Sequence, residues 1–197
     1  MGRDTPKDRR ETILQAAGRV LAEKGYAQTT VSQVAAAAGV SRGLLHYYFK
    51  NKDELFTQII EANMAFSLDM IEHIFVFSPS AAALASNMVA SLKDVARTRS
   101  HFFALFQEFL ALARANPALA EQLSEFYTIF RKKLTDELDR AARRDIVAQG
   151  DSEARAAMLT ALIDGLGLQL SSAPALAYWD GLWTEAARVI RAIITGA

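Results

Sequence analysis

The chain has 197 residues, 51% apolar and 22% charged, the balance of a soluble globular protein with one large domain or a small domain joined to a larger one. It has no cysteine, so disulfide frameworks and thiolate metal sites are excluded, and the N-terminal MGRDTPKDRRETIL lacks the apolar stretch of a signal peptide. Net charge is zero, but residues 1–54 carry nine Lys/Arg against six Asp/Glu and the rest thirteen against sixteen, a basic head on an acidic body.

In chain order, Thr5 and Pro6 open a first predicted helix, which Gly25 closes. Ile13, Ala16, Ala17, Val20 and Leu21 recur within it at helical spacing. Thr30-Val31-Ser32-Gln33 is a capping box for a second helix that Gly39 stops, and Ser41 caps a third. Asn51-Lys52-Asp53-Glu54 is a second capping box, opening a long fourth helix. Breaks at Ser78-Pro79-Ser80, Arg97 to Ser100, Asn116-Pro117, Gln149-Gly150-Asp151 and Ser171 to Pro174 delimit five further helices. The segment from Pro117 to about Ala148 is long and carries an apolar stripe from Leu119 through Leu138. No segment alternates with period two, so the fold class is all-α, with about nine helices. The least interrupted apolar stretch, Ala156 to Leu170, is too short for a membrane span and contains Asp164. Pro6 stands where the myristoylation pattern needs Ser or Thr, so a cytoplasmic location is expected, with no membrane partner.

Two short helices across a glycine turn form a helix-turn-helix, whose second member can enter a DNA major groove. With Leu45 set toward the core, Tyr48 and Phe49 fall near it at about 100° per residue, whereas Gly43 and Tyr47 point away. Leu44 and His46 lie on the flanks. Arg42 can fork to guanine, Leu44 can touch a thymine methyl, and Tyr47 can reach a phosphate or a base edge. Gly43 permits close backbone approach. Thr30, Ser41 and Lys52 each stand at a helix start, where backbone N–H groups favour phosphate.

The residues T-T-V-x-x-V-A-x-x-A-G-V-S-x-G-x-L-x-x-Y-F-x-x-K-x-x-L, from Thr29 to Leu55, resemble the DNA-binding domain of the tetracycline-repressor (TetR) family. The resemblance is close over about residues 10–56. It implies a DNA-binding domain over residues 1–51 and an effector-binding and dimerisation domain over 52–197. It also implies a homodimer that places Ser41 to Tyr47 in a major groove, with contacts carried over to Thr30, Ser41, Arg42, Gly43, Leu44, His46, Tyr47, Tyr48 and Lys52. Where the family usually has Tyr then His, this chain has His46 then Tyr47, so either can be the base reader. Arg3, Lys7, Arg9 and Arg10 are either a minor-groove arm or, with Asp4, Asp8 and Glu11 between them, a solvated helix surface.

The rest of the chain holds more aromatic surface than a headpiece needs. The family implies a pocket for a small apolar or amphipathic effector, with Met64, Phe102, Phe103, Phe106, Phe109, Phe126, Tyr127, Phe130 and Met158 as candidate lining. Glu108 is either a polar anchor or a solvent-facing residue, and Asp164 is an interface or pocket hydrogen-bonding group. The last two helices read as a dimer surface of Leu162, Gly165, Leu166, Trp179, Leu182, Trp183, Ala186 and Ile190, with Ile193 on the same stripe and Gly165 and Gly167 allowing close approach.

Gly39-Val40-Ser41-Arg42-Gly43 matches the G-x-S-x-G hydrolase elbow, but helix precedes it where an elbow needs a strand, so Ser41 is a cap and no catalytic residue is assigned. Asp69 and His73 sit one turn apart without a further ligand, an exposed pair rather than a metal site. No cofactor is expected. The leading expectation is a ligand-responsive repressor of a pseudo-palindromic operator, whose effector acts through the fourth helix. The alternatives are a DNA-binding regulator controlled by a protein partner, and a helical scaffold or enzyme without a DNA role.

Overall fold

The computed structural model describes residues 6–99 and 101–196, with side chains from residue 8 onward. The Thr5 cap and the Arg3 and Lys7 side chains fall outside that range. Among the described residues there are nine α-helices and no strand: α1 (Pro6–Gln28), α2 (Val31–Ala38), α3 (Arg42–Tyr48), α4 (Lys52–Val76), α5 (Ala81–Thr98), α6 (His101–Ala113), α7 (Pro117–Arg143), α8 (Ser152–Ser172) and α9 (Asp180–Thr195). A 3-10 turn at Pro174–Tyr178 joins the last two.

Most helix starts are set by one local side chain. Thr30, Ser41, Asn51, Ser80, Asn116 and Asp151 each accept a hydrogen bond from a first-turn N–H that has no partner within the helix. The Thr30 box is reciprocal, with Thr30 N–H donating to Gln33 Oε1 over 2.9 Å. The Asn51 box is not: Glu54 Oε2 accepts from Lys50 N–H at 2.7 Å, one residue before the cap. Helix α7 ends at Arg143, short of the expected Ala148. Asp145 takes a left-handed φ of 56°, the Arg144, Asp145 and Ile146 N–H groups close onto Ala141 and Ala142, and Val147 folds back into the core.

Apolar burial divides into two clusters. One fills the body between α4, α5, α6, α7, α8 and α9. The other joins α1, α2 and α3, through Ile13, Leu21, Val34, Leu45 and Phe49, to Leu55, Phe56, Ile59 and Ile60 of α4 and to Leu105 and Phe109 of α6. Three helices of this size bury too little surface to stand alone, and the first turns of α4 with one face of α6 complete their core. Among the described residues no helix is long and apolar enough to cross a membrane.

Candidate functional site

Helix α3 presents two faces. Leu45 and the capping residue Phe49 are buried, and Tyr48 is half-buried against the headpiece core. Arg42, Gly43, His46 and Tyr47 are exposed, Tyr47 by 80%, with Leu44 half-buried between the faces. The exposed Tyr47 ring is braced edge-on by Tyr48, with centroids 5.2 Å apart. Ser41 Oγ accepts from Leu44 N–H at 3.1 Å, which leaves its own O–H free to donate outward. Thr30 is likewise exposed at its cap. Arg10 does not extend as an arm: its guanidinium donates to Gln58 at 2.5 Å and lies 5.9 Å from the Phe49 ring centre.

Lys52 is placed differently from the sequence reading. Its Nζ donates to the carbonyls of Tyr26 at 2.6 Å and Thr29 at 3.1 Å and sits 4.1 Å from the Tyr26 ring centre. Two of three ammonium donors are therefore engaged in tying the α1–α2 turn to α4. Tyr26 O–H donates to Asp53, reinforcing the tie.

That turn exists because Gly25 adopts φ 74° and ψ 164°, which breaks α1 three residues before its assigned end. The freed Tyr26 N–H is taken by Glu108 Oε1 of α6 at 2.5 Å, and a Cβ on residue 25 would lie 3.3 Å from the same oxygen. Glu108 is thus neither a polar anchor of the cavity, whose lining it does not join, nor a purely solvent-facing residue: it ties body to headpiece.

A cavity of about 310 Å³ opens in the body between α4, α6, α7 and α8. Six of the expected residues line it: Phe102, Phe103, Phe106, Phe126, Tyr127 and Phe130. Ser67, Gln107, Leu110, Ile163, Asp164, Gly165, Gly167 and Leu168 join them. Three expected residues do not. Met64 packs between the two apolar clusters, Phe109 is 0% exposed in the headpiece-side core, and Met158 points to solvent at 58% exposure. Helical phase alone does not set Phe109 apart, since at about 100° per residue it stands about 20° from Phe102 and about 40° from Leu105; it packs with Leu105 in the headpiece-side core while its neighbour Phe106 borders the cavity. Gly167 is required where it stands, because a Cβ there would meet Phe103 Cδ1 at 2.7 Å; its close approach is to its own subunit and not to a partner.

Tyr127 O–H donates to Asp164 Oδ2 at 2.8 Å on the cavity wall. Burial pushes the Asp164 carboxyl above the usual carboxylate range, with the Tyr127 hydrogen bond opposing, and burial and Asp164 together push the Tyr127 phenol up. A carboxyl whose folded pKa exceeds its unfolded value withholds stability in full above the folded pKa. That stability returns as pH falls through it toward the unfolded value. Asp164→Asn, which keeps an acceptor for Tyr127, is therefore expected to melt above wild type at pH 7, with the gap closing on acidification through the raised pKa. Melting curves across pH check this, and a gap that widens toward acid pH contradicts it.

The expected dimer residues fall into two groups. Leu166, Trp183, Ala186 and Ile190 are buried in the subunit's own core, because the apolar stripe of α9 packs on α5 and Trp183 Nε1 donates to Ala177 O at 3.0 Å. Leu162, Gly165 and Leu182 are half-buried, as is Ile193, and Trp179 is 60% exposed. The outward row on α8 is Met158, Ala161, Gly165 and Leu168, the last 52% exposed. Its spacing was visible in the sequence but hidden by apolar residues on every face of α8. Among the described residues no group of three or more His, Cys, Asp or Glu is placed to hold a metal ion. His73 stacks on Phe77 with centroids 5.3 Å apart.

Residues 13–59 match the family model described as bacterial regulatory proteins, tetR family, and residues 81–177 match the C-terminal region of BetI-type transcriptional repressors. The uncharacterized HTH-type transcriptional regulator YfiR of Bacillus subtilis (strain 168) is 31% identical over 134 residues, 66% of this chain and 63% of that protein. The chain thus spans under two thirds of that relative's length. The HTH-type transcriptional regulator BetI of Rhizobium meliloti (strain 1021) is 29% identical over 172 residues, 84% of this chain and 80% of that one. The crystal structure of the Bacillus subtilis regulator FadR in complex with stearoyl-CoA superposes with a TM-score of 0.74 at 21% identity, covering 95% of this chain and 98% of that one, a likeness of fold. With the headpiece geometry and both family matches in agreement, the chain belongs to the TetR family of DNA-binding, helix-turn-helix transcriptional regulators and is not an enzyme.

Proposed function

We propose that this chain is a cytoplasmic, ligand-responsive repressor that binds a pseudo-palindromic operator as a homodimer and leaves it when a small molecule fills the body cavity. The observation that carries the reading is the outward face of α3, where Tyr47 stands 80% exposed beside Arg42, Gly43 and His46 on a helix whose other face is locked into the core. Residues 1–51 form the DNA-binding unit and 52–197 the regulatory one. Ser41, Arg42, Gly43, Leu44, His46 and Tyr47 meet the groove. Thr30, Tyr48 and Lys52 serve chiefly to hold that surface in place, with one Lys52 donor left for a phosphate.

The cavity favours a small molecule over a protein partner as the controlling signal, since its aromatic lining is concave and lies inside the body. FadR, of the same fold, is described with stearoyl-CoA bound. The outward row Met158, Ala161, Gly165 and Leu168 on α8, with Leu162, Trp179 and Leu182, supports pairing of two subunits through a four-helix bundle. Both α4 and α6 run from the headpiece core to the cavity wall, so an effector that fits one position of these helices better than another shifts the population away from the DNA-binding state.

Selection from a random-sequence DNA pool is expected to enrich an inverted repeat with half-site centres about 34–36 Å apart or a multiple of that spacing. Tyr47→Ala is expected to cost about 1–3 kcal/mol of operator affinity and to blur base preference, with an unchanged melting temperature because the ring is not core. Enrichment of no repeat by wild type, or an unaltered operator affinity in the variant, rejects this docking.

A further inference from the structure

The cavity has an uneven chemistry. Its outer part is bordered by Asp164, Tyr127 and Gln107, and among the described residues that line it Asp164 is the one acid and there is no lysine, arginine or histidine. Arg131 lies 5.8 Å from the Tyr127 ring centre without joining the lining. Ser67, Phe102, Phe103, Phe130 and Ile163 border this space and also a smaller chamber of about 50 Å³. That inner chamber continues between Met70, Ile74, Met88, Leu92 and Leu134 and has no charged lining. Asp164 borders the outer space and not the inner chamber.

A carboxylate that lines the same cavity as five phenylalanine rings, held by the Tyr127 O–H and with no cation in that lining, is an incomplete ion pair. Aromatic rings attract positive charge through their negative faces, and a desolvated carboxylate gains most from a charged donor. An anion would face Asp164 without compensation, and a neutral molecule would leave its charge unanswered. The apolar inner chamber, with Met70 and Met88 able to repack, suits a flexible hydrocarbon segment. Resting on the reading of this cavity as the effector site, we propose that the ligand is an amphipathic organic cation, its ammonium head between Asp164, Tyr127 and the Phe106 and Phe126 rings and its apolar tail passing Phe102 and Phe130 into the inner chamber. Burial that holds the Asp164 carboxyl above its ordinary range agrees with a site completed by an incoming positive charge.

The test is calorimetric titration of the full chain with three probes on one decyl chain, namely decyltrimethylammonium, decanol and decanoate, together with tetramethylammonium as a head without a tail. Wild type is expected to bind decyltrimethylammonium about 10-fold or more tighter than decanol or decanoate. Asp164→Asn should bring the cation down to the decanol level while decanol itself changes by less than about 3-fold. Tetramethylammonium should bind about 100-fold or more weaker than its decyl counterpart, through loss of the buried methylenes. Equal or tighter binding of decanoate, absence of decyltrimethylammonium binding, or an Asp164→Asn variant that keeps full cation affinity overturns the proposal. The same titrations run with bound operator DNA separate this from the regulatory reading. Release of DNA by decanol or decanoate alone rejects the cation and keeps the effector site, whereas cation binding that leaves DNA affinity unchanged supports the cation site and rejects its role as the effector site.

Discussion

Phe109→Ala is expected to destabilise the chain by about 3–5 kcal/mol, the largest effect of any single substitution considered for this protein. The ring is 0% exposed and lies where α6 closes the headpiece core alongside Leu105, Phe56 and Ile59. Its removal leaves a void in close-packed surroundings, so lost transfer energy and lost contacts add. For a chain of this length the melting temperature should fall by about 6–20 °C. Phe102→Ala is the matched comparison. That half-buried ring already borders the cavity, so its loss removes fewer contacts and should cost clearly less. Equal losses in denaturant titrations of the two variants would mean that Phe109 is not a core residue.

Lys52→Met is expected to cost about 1.5–3 kcal/mol of stability, the range for hydrogen bonds made by a charged group. The substitution keeps much of the aliphatic stem and deletes the ammonium, so the Tyr26 and Thr29 carbonyls lose their donor and the Tyr26 ring loses its cation. Reading Lys52 as a pure phosphate contact leads to a different outcome: unchanged stability and a salt dependence of DNA binding lowered by about one unit. Urea titration beside affinity measured at several salt concentrations separates the two. Unchanged stability with the lowered salt slope rejects the tie between the α1–α2 turn and α4.

Lys52 also shows where the sequence stopped being legible. Its place at a helix start was readable, because a capping side chain acts on backbone a few residues away, and Asn51 announces it. The direction of its ammonium depends on the carbonyls of Tyr26 and Thr29, more than twenty residues earlier, which no local pattern encodes. The same distinction runs through the chain. Thr30, Gly39 and Ser41 marked the helix-turn-helix, and the angular positions of Leu45, Tyr47 and Phe49 followed from helical period alone. In the aromatic run of α6 the period puts Phe109 within about 20° of Phe102, so phase alone does not part the core ring from the cavity rings. Helix α9 posed the same problem, since its stripe of Trp183, Ala186 and Ile190 shows that something covers it and leaves open whether that is α5 or a second subunit. Glu108 and Gly25 belong together only in three dimensions.

Helix α6 is a wall between two rooms. Phe102, Phe103 and Phe106 face the cavity, while Leu105, Glu108 and Phe109 are fastened to the headpiece, the two sets interleaved within two turns of one helix. Such a helix has no side on which to absorb a rotation in private. A guest that turns or slides α6 must pull the Tyr26 N–H from its carboxylate or carry the α1–α2 turn along, and that turn adjoins the helix that opens on Val31. Under the proposed regulation, a change at the cavity wall would therefore reach the start of α2 through packed side chains and one hydrogen bond, without any messenger having to cross solvent.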